Sequence, residues 1–151
     1  MGKVEVQAYF QMLDSYISKF SLDVYRKIRS NEILDIKVNV GFRIVNINKK
    51  DKEIIGQIEL AYDLSIEVNK ESVAKIRLIT NGLFKGNDVT EDKKFEEMLK
   101  MNGAPTLSNL ARAHINATTS LSGMPPIIVP LINFAQFFEN ATKTDLKNED
   151  K

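Results

Sequence analysis

Three stretches of strict apolar–polar alternation, joined by short polar turns, constrain this chain more than anything else in it. In the first, Leu34, Ile36, Val38, Val40, Phe42 and Ile44 alternate with Asp35, Lys37, Asn39, Gly41 and Arg43. In the second, Ile58, Leu60, Tyr62, Leu64, Ile66 and Val68 alternate with Gln57, Glu59, Asp63, Ser65 and Glu67. The third runs from Val73 to Phe84. Successive side chains of a strand point to opposite sides, so each segment is a half-buried strand with one apolar face. The links Asn48–Lys52 and Asn69–Glu71 are too short for a crossover and force antiparallel neighbours.

The flanks are less regular. From Ser15, Phe20, Leu22 and Val24 follow the same period and predict a first strand. Val6, Phe10, Leu13 and Ile17 recur at roughly helical spacing, which allows a short amphipathic helix at the opening. Tyr25 to Glu32 breaks the alternation and reads as a crossing loop. After the strands, Thr90 is the expected N-cap of a helix with Glu91 and Asp92 at its positive end and Lys100 near its negative end. Gly103 is the expected left-handed exit, and Phe95, Met98 and Leu99 form the apolar face. Pro105 opens a second helix with Leu107, Leu110, Ala111, His114, Ile115, Thr118 and Leu121 on one stripe. Pro125, Pro126 and Pro130 hold Ile127–Val129 extended. Asn133 caps a last helix whose Phe134, Phe137, Phe138 and Ala141 share a face. Strands first and helices afterwards indicate an α+β fold, one antiparallel sheet of four strands with two to three helices on one face. The expected division is one domain over residues 1–142 and a polar, disordered tail over 143–151.

Chemistry is nearly absent from the sequence. Basic and acidic side chains number 21 and 20, for a formal net charge of +1, which argues against general nucleic-acid binding. There are no cysteines, and His114 is the only histidine, so thiol catalysis and multi-histidine metal sites are excluded. No phosphate loop, nucleophile elbow or calcium loop occurs. Glu96-Glu97 reads as a solvated pair, Lys49, Lys50 and Lys52 as a solvated hairpin tip, and Arg112 as the site of a structural salt bridge. The apolar run Val4–Leu13 is interrupted by polar residues, and no stretch reaches the roughly 20 apolar residues of a membrane span, so a cytoplasmic protein without membrane insertion is expected. The clustered phenylalanines Phe134, Phe137 and Phe138 are the better clue. They read as one wall of an apolar groove whose other wall is the crossing loop (Tyr25, Ile28) and the start of the second strand (Leu34, Ile36). The second helix, rich in Ala, Ser, Thr and Asn, suits close packing against an equivalent helix, and its stripe is the expected oligomer interface.

Gly82-Leu83-Phe84 at a strand end, Ala104-Pro105 before the main helix, Ala111-Arg112 within it, Gly123-Met124-Pro125-Pro126 at its exit and a closing Asn133-Phe134 stand in an order and spacing that resembles the SecB protein-export chaperones. The resemblance runs from about Ser15 to Phe138 and is strongest from Ile76 onward. It implies a homotetramer, a dimer of dimers, that holds unfolded polypeptides in long apolar grooves without ATP and without a cofactor. It makes Tyr25, Ile28, Leu34, Ile36, Ile132, Phe134, Phe137 and Phe138 the client-binding residues. Glu59, Asp63 and Glu67, on the solvent face of the third expected strand, become candidates for contact with the export motor ATPase. Three departures are visible. The chain is near neutral where the family is strongly acidic, residues 106–110 replace a longer proline-containing segment, and the crossing loop is shorter. These suit a divergent branch in which some members are dedicated chaperones of an antitoxin. From the residues alone, an unrelated oligomeric α+β binding or scaffolding module is the alternative.

Overall fold

A computed structural model of the protein describes residues 9–87 and 91–149, with side chains described as far as Thr142. The elements are β1 (Phe10–Val24), β2 (Asp35–Lys50), β3 (Glu53–Val68), β4 (Glu71–Asn87), α1 (Asp92–Met98), a π-helical turn (Leu99–Gly103), α2 (Ala104–Leu121) and α3 (Phe134–Glu149). The strands form one antiparallel sheet in the order β1-β4-β3-β2. β2–β3 and β3–β4 are hairpins. At the second, Asn69 and Lys70 both take positive φ, the turn whose twist matches paired strands. β1 pairs with β4 instead of β2, so residues 25–34 carry the chain across the sheet end to its opposite edge.

The strand begins at Phe10, where helical spacing suggested a helix. Two β-bulges explain the confusion. The β1–β4 register slips between Met12 and Asp14 and again between Ile17 and Lys19. Each slip adds a residue and moves the helix-facing set from Phe10 and Met12 to Ser15 and Ile17, then to Phe20, Leu22 and Val24. A period of two with inserted residues imitates a period near 3.6.

β3 and β4 are the centre of the molecule. Ile54, Ile58, Leu60, Tyr62, Leu64, Ile66 and Val68 are all buried, as are Ala74, Ile76, Leu78 and Phe84 opposite them. Above lie α1 and α2, which are one continuous helix rather than two separated by Gly103. Gly103 is right-handed (φ −69), and the Ala104 amide donates to the Leu99 carbonyl across the π turn. The widened turn falls where Pro105 brings no N–H to an α-helical ladder. Thr106 Oγ1 donates to the Asn102 carbonyl at 2.8 Å, satisfying a carbonyl near that break. The start of α1 at Asp92 has Glu91 as its N-cap, with no side-chain cap bond, and Thr90 lies outside the described residues.

α2 buries Ala104, Leu107, Ser108, Ala111, Ile115 and Thr119. Tyr62 and Ser108 share a buried hydrogen bond of 2.6 Å that pins the helix to β3, and burial raises the Tyr62 pKa above its usual value. Thr119 Oγ1 donates to the Ile115 carbonyl at 2.8 Å and accepts the Ile127 amide at 2.9 Å, which seats the proline-rich segment on the helix end. Arg112 Nε donates to the Val129 carbonyl at 2.8 Å. The role is structural, but the partner is a carbonyl in place of the expected carboxylate. Asn133 Oδ1 accepts the Gln136 amide at 3.1 Å and caps α3. That helix continues to Glu149, through most of the segment that composition assigned to a disordered tail. Local propensity is sufficient reason, since Leu146, Lys147 and Glu149 are good helix formers and no Pro or Gly intervenes.

Close approach of helix to sheet rests on missing side chains. A Cβ on Gly82 would lie 2.7 Å from a Phe84 ring carbon and 2.8 Å from Leu107 Cδ2, and one on Gly56 would lie 2.8 Å from the Phe95 ring. Gly82→Ala should therefore lower the unfolding free energy in urea by about 1–3 kcal/mol, as overpacking does. Gly41→Ala is the control, because its Cβ would meet only Ala61 Cβ at 3.8 Å. Equal effects of the two substitutions would show that close packing is not what selects glycine at position 82.

Candidate functional site

The apolar row on the helix side of β2 is covered only in part. Leu34, Ile36, Val38, Val40, Phe42 and Ile44 are each half-buried, unlike their neighbours on β3. At one end the row meets α3. Phe138 stands edge-on to Phe42 with ring centres 4.8 Å apart, and packs on Phe137 at 5.1 Å and on Phe134 at 6.1 Å. The Lys100 ammonium sits 5.7 Å above the Phe138 ring. Phe134 is buried, whereas Phe137, Phe138 and Ile132 are half-buried. Phe134 thus belongs to the core, and the surface of the cluster comes from Ile132, Phe137 and Phe138.

At its other end the row meets the crossing loop. The Tyr25 amide donates to the Val73 carbonyl at 2.9 Å. The loop is then closed by Arg26, which donates to both carboxylate oxygens of Glu32 at 2.9 and 2.7 Å, while the Arg29 amide donates to the same group at 2.8 Å. Ile28 was expected to face a client, but the closed loop turns it inward, and it is 5% exposed within the core. Tyr25 is exposed, and Ile33 is 88% exposed. Ile33 was missed because the alternation points to its neighbour Leu34. Ile128, between Pro126 and Pro130, and Leu131, just after Pro130, are both exposed and were missed as well. Their signal was present: prolines on either side hold Ile127, Ile128 and Val129 extended, and an extended segment with Ile127 and Val129 inside must turn Ile128 outward.

The stripe chosen for the oligomer interface divides between two surfaces. Leu107, Ala111 and Ile115 are buried against the sheet within the protomer, and His114 and Thr118 lie at the margin. The His114 ring is edge-on to Phe20 at 4.9 Å. Leu110 and Leu121 face outward with Ala113 and Ala117, a second stripe of small and apolar residues. A helix with few large apolar residues looked single-faced in sequence, and the sheet takes the face that periodicity found.

On the opposite, open face of the sheet, each β3 carboxylate proposed for a partner already has a cation. Glu59 pairs with Arg43 at 2.8 Å, Asp63 with Arg77 at 3.6 Å and Glu67 with Lys37 at 2.9 Å, and Glu53 pairs with Lys85 at 2.8 Å. These are cross-strand neighbours, and the ladder leaves little net field. Among the described residues no group of His, Asp and Glu is arranged to hold a metal ion, and no helix is long and apolar enough to cross a membrane.

Comparison with known proteins gives a consistent set of likenesses. The family described as preprotein translocase subunit SecB matches residues 3–145. The protein-export protein SecB of Orientia tsutsugamushi (strain Ikeda) is 24% identical over 148 residues, covering 97% of this chain and 86% of that protein. The protein of the same description from Bartonella quintana (strain Toulouse) is 24% identical over 145 residues, covering 92% and 87%. The solved SecB-like chaperone of Mycobacterium tuberculosis, in complex with a ChAD peptide from the HigA1 antitoxin, superposes with a TM-score of 0.64. It is 15% identical and the match covers 82% of this chain and 91% of that one. That likeness is one of fold.

Two outcomes test the geometry of the two groove ends. Phe134→Ala should cost about 3–5 kcal/mol of stability, the range for a large core cavity. Phe138→Ala, which removes a ring already half in water, should cost roughly half as much. Equal losses in thermal unfolding would place both rings in the core. At the loop end, the Arg26 guanidinium first and the Arg29 amide second hold the Glu32 carboxyl at a pKa of about 2. A depressed folded value means that the clamp is intact above the ordinary glutamate range near 4.3 and is lost as pH falls towards 2. The Arg29 amide resonance should therefore titrate with a midpoint near that depressed value. A midpoint near about 4 would show that the clamp does not form in solution.

Proposed function

Because the chain belongs to the SecB family, we propose that it is an ATP-independent holdase that keeps unfolded polypeptides from aggregating. The observation that carries this reading is the half-covered apolar row of β2, continuous with Phe137 and Phe138 at one end and the crossing loop with Tyr25 and Ile33 at the other. Such a row buries apolar side chains of an extended client at about 25 cal/mol per Å² and asks little of client sequence. The proposed client surface is Tyr25, Ile33, Leu34, Ile36, Ile132, Phe137 and Phe138, with Ile28 and Phe134 as its support. The reading needs no cofactor and no catalytic group, and it places the protein in the cytoplasm, where clients are made.

Two roles fit a holdase of this family, delivery of clients for export and dedicated holding of an antitoxin. The ion-paired open face supports the second. Glu59, Asp63 and Glu67 have their charge met by Lys37, Arg43 and Arg77, so a cationic export motor would gain little by docking there.

The assembly we propose is a homotetramer, a dimer of dimers. β1 shows large apolar side chains on both sides of its edge, with Met12, Leu13, Tyr16 and Ile17 all exposed, which suits extension of the sheet by a second copy. The outward stripe of α2, from Leu110 through Ala113 and Ala117 to Leu121, suits helix-on-helix packing between dimers. Leu107, Ala111 and Ile115 act through the protomer core.

Added in stoichiometric excess and without nucleotide, the protein should suppress light scattering by a chemically denatured client. A requirement for ATP, or undiminished aggregation, would sink the holding function. Native mass spectrometry should show four chains, and Leu110→Asp combined with Leu121→Asp should give dimers of unchanged thermal stability. A 17.1 kDa monomer as the main species of the wild type would overturn the assembly.

A further inference from the structure

The two ends of the groove differ in charge. The crossing loop carries Arg26, Lys27 and Arg29 against a single carboxylate, Glu32, and Arg26 already engages that carboxylate through two hydrogen bonds. Glu71, the first residue of β4, comes within 3.9 Å of Arg26 Nε and follows Lys70 of the turn. The neighbouring strand carboxylates do not serve the loop. Asp23 lies opposite Lys75 in the β1–β4 register, Asp35 acts on Lys37, and both belong to the open face. Lys27 and Arg29 are exposed, and among the described residues neither comes within ion-pair distance of a carboxylate, although the Arg29 charge also acts on Glu32. Together with Arg26 and Glu32 they surround an open depression of about 530 Å³. At the far end, the depression of about 440 Å³ beside Phe138 is lined by Glu96, Glu97 and Glu139 against Lys93 and Lys100. One mouth is basic and the other is slightly acidic.

We infer that the groove selects extended client segments in which an apolar stretch of about nine residues, the length of the row from Leu34 to Phe42, is flanked by Asp or Glu that seats at Lys27 and Arg29. This inference rests on the holdase reading and names its client class. The side chains involved stand in solvent, so each pairing is modest and salt-sensitive, and the selection is a bias laid over sequence-tolerant apolar binding.

Two labelled peptides test it, sharing one alternating apolar core of about nine residues, the length of the row, and flanked either by Glu-Glu or by Lys-Lys. Their binding to the intact assembled protein is followed by fluorescence anisotropy at low and at high salt. The Glu-flanked peptide should bind about three- to tenfold more tightly at low salt, from two exposed charge pairs, and the advantage should shrink at about 0.5 M salt. Lys27→Gln combined with Arg29→Gln should abolish the preference while leaving thermal stability unchanged. Equal affinity for the two peptides, tighter binding of the Lys-flanked one, or a preference untouched by the double substitution would overturn the inference and leave holding intact. If neither peptide binds, the holding function falls and the inference falls with it.

Discussion

A helix with its side chains is about 10 Å across, whereas four strands spaced about 4.8 Å apart span about 19 Å. The one continuous helix formed by α1, the π turn and α2 therefore covers the inner strands β3 and β4 and leaves the outer two to themselves. Everything in the burial pattern follows that width. Ile58, Leu60 and Tyr62 on β3 are 0% exposed, while Ile44, Phe42 and Val40, their partners across the β2–β3 ladder, are half open. The glycines at positions 56 and 82 lower the helix further onto the inner strands, which tightens the core and does nothing for the edges. A second covering layer would have closed the sheet. α3 supplies only its first turns, where Phe134 and Phe138 dock, and the rest of the described helix face lies in water.

The two neglected edges differ in their chemistry. β2 is apolar only on the helix side, and its other side carries Asp35, Lys37, Asn39 and Arg43. A partner of β2 is thereby invited onto one face, as a flexible apolar segment would be. β1 is apolar on both sides of its edge and is bent by two bulges, which suits a partner that continues the sheet. An edge with large apolar side chains on both faces is an aggregation hazard unless something fixed occupies it.

The sequence revealed the inner strands best because they obey one rule throughout. Ile58 to Val68 alternates without interruption, and the turns are polar and short. It concealed elements in which two rules compete. In β1 the bulges at Leu13 and Ser18 shift the phase of alternation, so local spacing looks helical while pairing to β4 holds the residues extended. At Gly103, composition said exit, but the π turn spends the irregularity inside the helix and needs a small residue under Ile58 and Phe84. In α2, periodicity located a buried stripe and could not tell protomer core from subunit interface, since both are apolar. For the groove, Leu34, Ile36, Phe137 and Phe138 were legible as amphipathic positions. Ile33 was not, because its exposure is a property of the Arg26–Glu32 clamp and of the inward turn of Ile28, both of which are tertiary.

Half-burial also sets how strongly one protomer can hold a client. Each half-open aliphatic or aromatic side chain of the β2 row has roughly 1 kcal/mol of apolar contact left to gain, on a scale of about 1.5–3 kcal/mol for complete burial. Six such positions supply about 6 kcal/mol, and association itself costs an estimated 4–15 kcal/mol in lost freedom. A single groove is accordingly weak, which suits a protein that must let go without hydrolysing a nucleotide. Useful affinity then depends on one long chain engaging several grooves at once, where each later contact is made at high effective concentration. The proposed assembly and the holding function would in this sense be one design. In the proposed assembly, the apolar edge of β1 and the outward stripe of α2 would gather protomers, so that grooves too shallow to retain a client singly would retain it together and a client that folds would withdraw its apolar residues from all of them.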